Sequence, residues 1–203
     1  MKQKKIIKRF AVMTVAAFLS LLCFSLPGYS QKQTSDLASE VASLQLGMKG
    51  YILGKQLTPE QKDLAGKNLI KDSFEGTYKF QDGEIIVVAE KDNDTVLAVY
   101  KRNEQATIEQ AKKMISGLMG EYGEPTAMAH DKLIYWAYND QGKIAEDAYQ
   151  KHREKGEKFD VLATVKFNTT LDIMAEKKDK NETGTIYFIV SSDPLSQEFM
   201  GVK

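Results

Sequence analysis

The single cysteine of this 203-residue chain, Cys23, lies inside a seventeen-residue apolar run, Phe10 to Leu26, that follows Lys2, Lys4, Lys5, Lys8 and Arg9. A basic start, an apolar middle and the small residues of Gly28-Tyr29-Ser30 are the three parts of a secretory signal. Pro27 and Gly28 would break a helix just ahead of the cleavage point and leave that tripeptide extended. Residues 1–30 therefore read as a signal peptide, with Gln31 first in the working protein. The thiol leaves with it. What remains must fold without disulfides, and Cys-ligated zinc, iron–sulfur clusters and a cysteine nucleophile are excluded. A retained N-terminal anchor is the competing reading, since a spanning helix needs about 20 apolar residues. Lipidation at Cys23 is disfavoured by Leu21 and Leu22, which stand where small residues are required. The expected location is a bacterial periplasm or the extracellular space, with no stable membrane span after cleavage.

Cleavage also changes the charge. The whole chain balances 28 basic against 28 acidic residues, but the signal holds five bases and no acid, so the mature chain keeps 23 bases against 28 acids, a net −5. Nucleic-acid binding relies on excess lysine and arginine, so nucleic acid is not an expected partner.

The mature chain is long enough for one domain with its own core. Residues 31–57 read as a flexible or partly helical lead-in, with Leu37, Val41, Leu44 and Met48 at helical spacing. The domain is expected over 58–203. Thr58-Pro59-Glu60-Gln61 and Thr107-Ile108-Glu109-Gln110 are both capping boxes, a threonine whose partner glutamine lies three residues on. After the second, Ile108, Ala111, Ile115, Leu118 and Tyr122 share one helical face, and Gly123 and Pro125 stop the helix.

Strands are expected at Thr77–Phe80, Glu84–Glu90 and Thr95–Lys101, separated by turns at Gln81-Asp82-Gly83 and Asp92-Asn93-Asp94. The middle one, Ile85 to Ala89, is apolar on both faces and belongs centrally or under cover on both sides. Further strands are expected at Lys132–Tyr138, Phe159–Asn168, Leu171–Ala175 and Thr185–Ser191, with a charged, solvated helix inserted over Ile144–Lys158 and ended near Gly156. The fold class is α+β, helices packed on antiparallel sheet, and the order of elements suggests two tandem helix-plus-meander units, 58–103 and 107–191.

Glu121-Tyr122-Gly123-Glu124-Pro125 followed by the aromatic strand Leu133-Ile134-Tyr135-Trp136-Ala137-Tyr138 resembles the small periplasmic modules of the outer-membrane assembly lipoproteins and of the β-lactamase inhibitor proteins. The resemblance implies a helical pair on one face of an antiparallel sheet, in tandem in the inhibitors, acting as a binding module. The chain departs from those families in having no suitably placed lipidation cysteine and no disulfides in its mature part.

Catalytic motifs are missing. There is no Gly-x-Ser-x-Gly, and Ser116 lies within a helix rather than at a strand-to-helix elbow. His130 and His152 are the only histidines; the first reads as a loop residue, the second as a solvated surface one, and neither forms a metal motif. Asp179-x-Asn181-x-Thr183-Gly184 copies half of a calcium loop, but Val190 stands where a bidentate glutamate is required, so a polar turn is expected. No cofactor is expected.

The candidate binding residues are Tyr135, Trp136 and Tyr138, with Tyr122 at the helix end. Alternation puts Trp136 and Tyr138 on one face and Tyr135 on the other. Trp136 either fills the core or joins an exposed aromatic patch of the type that anchors protein interfaces. The functional reading is a non-enzymatic binding or accessory protein that takes a protein partner or envelope component. The alternatives are a periplasmic hydrolase using carboxylates in a cleft, and a small-ligand carrier with a helix–sheet cavity lined by Met114, Met119, Ile134 and Val165.

Overall fold

A computed structural model describes residues 34–71, 73–129, 132–157, 159–173 and 182–199. The signal segment, the His130-Asp131 pair and residues 179–181 of the calcium-like half-loop lie outside the described residues. No described helix is long and apolar enough to cross a membrane.

The chain runs α1 (Thr34–Ser43), the hairpin β1 (Gly47–Met48) and β2 (Tyr51–Ile52), then α2 (Pro59–Lys67). Four strands follow, β3 (Leu69–Ile70), β4 (Thr77–Asp82), β5 (Ile85–Glu90) and β6 (Val96–Thr107). Next come α3 (Ile108–Tyr122), β7 (Ala127–Ala129), β8 (Leu133–Asn139), β9 (Gly142–Lys143) and α4 (Glu146–Lys155). The chain closes with β10 (Ala163–Thr169), β11 (Thr183–Ser191) and α5 (Asp193–Phe199).

Both capping boxes form as the sequence predicts. Thr58 and Thr107 accept from the N–H of Gln61 and Gln110, whose side chains accept the threonine N–H in return. At the other end of α4, Gly156 takes the left-handed conformation and its N–H reaches the carbonyls of Arg153 and His152, which is why the charged helix stops there.

β1 and β2 pair only with each other, and the other nine strands form one antiparallel sheet in the order β3-β4-β5-β6-β11-β10-β8-β7, with β9 paired to β8. This is the helix-plus-antiparallel-sheet class expected, and the stretches 58–103 and 107–191 share that single sheet. Each half enters at an outer edge and runs inward, so the two meet where β6 pairs with β11, Val99 opposite Val190 and Lys101 opposite Phe188. β5 lies inside the sheet between β4 and β6, the position its doubly apolar sequence called for.

Several expectations are corrected. Residues 171–173 form a bend instead of a strand, with Leu171 and Ile173 turned into the core, and Ala175 lies outside the described residues. The β1–β2 hairpin, β3, β7, β9 and α5 are additional elements, and the strand expected over Phe159–Asn168 begins at Ala163. The expected boundary at Thr58 falls inside the packed unit: Val41, Leu46, Tyr51, Leu53 and Leu57, from the stretch read as a lead-in, are buried in the common core. α1 can sit this close because Gly54, at φ +77°, brings its backbone under the helix; a Cβ there would lie 2.3 Å from the Ala38 carbonyl oxygen.

Alternation assigns the strand residues to two faces. One carries Phe80, Ile85, Val87, Val99, Ile134, Trp136, Val165, Phe167 and Val190, all buried and all in one cluster with Ile108, Ala111 and Leu118 of α3. Each such side chain contributes about 1.5–3 kcal/mol of burial, so this face holds the fold together.

Candidate functional site

The four sequence-predicted residues divide between the two faces. Tyr122, Trp136 and Tyr138 come together on the covered face; Tyr135 is on the opposite one, as the period of two requires. Trp136 is fully buried, and its indole N–H donates to the Gly123 carbonyl at 2.8 Å. The core reading of Trp136 holds and its part in an exposed patch falls.

Local chemistry explains the site of burial. Gly123 (φ +73°) ends α3, and its N–H bonds the Met119 carbonyl while its own carbonyl receives Trp136. Lys143 Nζ donates to the Tyr122 and Glu124 carbonyls at 2.9 and 3.0 Å, satisfying the helix end and complementing its negative pole. The Tyr122 ring lies 5.8 Å from that of Trp136. Burial pushes the Tyr138 hydroxyl up to about 12, with the Glu121 charge adding to the shift. Burial and Glu121 also raise Tyr122.

The second face is built from the alternate residues. Cross-strand pairing sets Gln81, Ile86, Tyr100, Ile189, Lys166 and Tyr135 in one row from β4 to β8. A flanking row holds Arg102 and Tyr187, and the row on the other side Lys79 and Val88. Ile86, Val88, Tyr100, Tyr187 and Ile189 are half-buried, and none is among the residues packed on the core. A solvated sheet face ordinarily alternates to polar side chains. Here Ile86 and Val88, Tyr100, and Tyr187 and Ile189, outward on three adjacent strands, are aliphatic or aromatic.

Basic groups border these side chains. The Arg102 guanidinium stacks 5.5 Å over the Tyr187 ring and pairs with Glu104 at 2.7 Å. Lys166 reaches Asp193 at 3.5 Å. Burial raises the Tyr100 hydroxyl, with Arg102 opposing the shift.

At the β8 side α4 closes on this face. Tyr149 meets Tyr135 edge-on at 5.8 Å and stacks on Phe159, which packs against the His152 ring at 4.0 Å. His152 is thus part of a ring cluster, with Nδ1 at 3.0 Å from the Ala148 carbonyl, instead of the purely solvated residue the sequence suggests. Tyr100, Tyr187 and Ile189 were not singled out from sequence. The alternation was legible, but only the β6–β11 pairing shows that they share a surface.

Three carboxylates, Glu90, Asp94 and Asp82, hold turns and a hairpin. Glu90 is buried and accepts the N–H groups of Asp92 and Asn93 at 2.8 and 2.9 Å, so Asp92-Asn93-Asp94 is a capped turn. Asp94 takes the Lys62 ammonium and the Tyr78 hydroxyl, which hold its carboxyl below the usual range. Asp82 joins Lys49 at 3.0 Å to the Tyr51 hydroxyl at 3.1 Å, and burial with this bond pushes Tyr51 up to about 12. No metal-binding cluster of three donors is found among the described residues.

Two hollows flank α3. One, about 620 Å³, is lined by Met48, Lys101, Met114, Leu118 and Phe188 among others; the second, about 330 Å³, by Ile115, Met119, Met128 and Ile134. Three of the four residues named for a ligand cavity line one or other hollow, while Val165 is sealed in the core. Comparison of the chain with protein-family models, with curated proteins and with solved structures gave no match.

Proposed function

We propose that this is an exported, non-enzymatic binding module that docks a protein partner of the cell envelope or its surroundings on the open sheet face. The observation that carries the reading is the row Ile86, Tyr100, Ile189 with Tyr187 and Val88 beside it, half-buried and excluded from the core. Rigid tyrosines and an arginine, with aliphatic neighbours and a polar rim, are the composition that protein interfaces favour. Strands hold these side chains in fixed positions, so little conformational entropy is lost on docking. The resemblance of the Tyr122–Pro125 turn and aromatic strand to envelope binding modules points the same way, as does the signal-like start.

The test is recovery of a stoichiometric partner with the tagged protein from its native envelope, compared with a Tyr100→Ala, Tyr187→Ala variant. The expected result is a loss of at least about tenfold in recovered partner with the thermal midpoint retained. Undiminished recovery would assign the partner to another surface.

A further inference from the structure

The larger hollow is on the covered face, and its floor breaks the rule of that face. Pairing places Ile85, Lys101, Phe188, Phe167 and Ile134 in one cross-strand row beneath α3. Four members are apolar; the fifth is a lysine between Ile85 and Phe188. Its side chain is 35 % exposed, and its ammonium reaches only the rim, where it meets the Glu84 carboxylate, itself 77 % exposed. The walls are Met48 and Lys49 from the β1–β2 hairpin, Gly83 and Glu84 from the β4–β5 turn, and Met114, Gly117, Leu118 and Glu121 of α3. Its volume, about 620 Å³, is in the range of small-molecule sites.

From this geometry we infer that the cleft binds a single-chain amphiphile with an anionic head group, the chain lying over Ile85, Phe188, Met114 and Leu118 and the head pairing with Lys101. The charge rising from the floor is positive, and both carboxylates, Glu84 and Glu121, stand at the exposed rim, Glu84 against Lys101 itself and Glu121 beside the Tyr122 hydroxyl. An exposed ion pair contributes little, so exchanging Glu84 for a ligand anion costs little. Two flexible methionines suit a chain without a fixed shape. Lys49 adds a second ammonium at the mouth, already anchored to Asp82. This site is on the opposite face from the proposed partner surface and stands independently of it.

The test is calorimetric titration of the purified protein with dodecanoate below its micellar range, with the uncharged methyl ester and with a single-chain lysophospholipid. The expected result is one saturable site. Lys101→Met, which keeps the chain length and removes the charge, should weaken dodecanoate about tenfold and leave the ester unchanged. Gly117 is a second handle: a Cβ there meets nothing within 4 Å, so Gly117→Leu should fill the cleft, strengthen the helix and abolish binding of all three. Tighter binding of the lysophospholipid than of dodecanoate would assign a lipid head group, and the reverse a free fatty acid. Absence of saturable binding, or dodecanoate binding unchanged in Lys101→Met, would overturn the assignment.

Discussion

The two faces of the sheet use the same residue types for opposite ends. On the covered face the aromatics are sealed: Trp136, Phe80 and Phe167 have essentially no solvent contact, and the polar atom of Trp136 is consumed by the Gly123 carbonyl. On the open face Tyr100, Tyr187 and Tyr135 keep part of their rings in water, and Tyr100 and Tyr187 meet neighbouring strands and the Arg102 guanidinium instead of a helix. An aromatic strand therefore does not mark a binding surface. What separates sealed from half-open aromatics here is whether a helix lies over the row.

The largest effect should come from the covered face. Trp136→Ala removes a fully buried indole and leaves the Gly123 carbonyl without its donor, which should cost about 3–5 kcal/mol in denaturant unfolding. In the parent protein, tryptophan emission should be blue-shifted and resist acrylamide; a red, quenched signal would reverse the assignment of faces.

Alkaline pH should come next. Tyr51 and Tyr138, both near 12 in the folded protein, keep their protons between pH 10 and 12 whereas the unfolded chain releases them near 10. The folded state then binds more protons, so stability is complete below pH 10 and falls through that window. Tyrosinate absorbance should rise late, together with unfolding; titration of all eight tyrosines that follow residue 30 near pH 10 in folded protein would contradict it.

Smaller still is the cap of α3. Thr107→Ala should cost about 1 kcal/mol, since Gln110 loses one half of a reciprocal pair. On the open face, Tyr187→Ala should cost less than about 1 kcal/mol, the scale of a cross-strand contact. Similar losses for Tyr187 and Trp136 would erase the distinction between the faces.

Much of the fold was legible where the signal is local. The two Thr-x-x-Gln boxes, the Gly123 and Gly156 stops and the strands around Ile85–Ala89 and Tyr135–Tyr138 rest on near neighbours in sequence. α5 had a local signal that went unread: Ser192 Oγ accepts the Leu195 N–H, with Pro194 in the first turn. The hairpin at residues 47–52 had less to show, because its strands have two residues each and its core membership depends on Tyr51 meeting Phe80 and Asp82, about thirty positions on. The open face was least legible. β6 pairs with β11 across roughly eighty residues, and nothing near Tyr100 in the sequence announces Ile189 as its neighbour.

The division between the faces is tested most directly by photo-crosslinking in cells, with a photoreactive residue placed in turn at Tyr100, Ile189, Lys112 and Ser116. A common partner adduct from positions 100 and 189, with none from the two α3 positions, is the expected result. Adducts from α3 alone, or equal yields from both faces, would contradict the assignment of recognition to the open sheet.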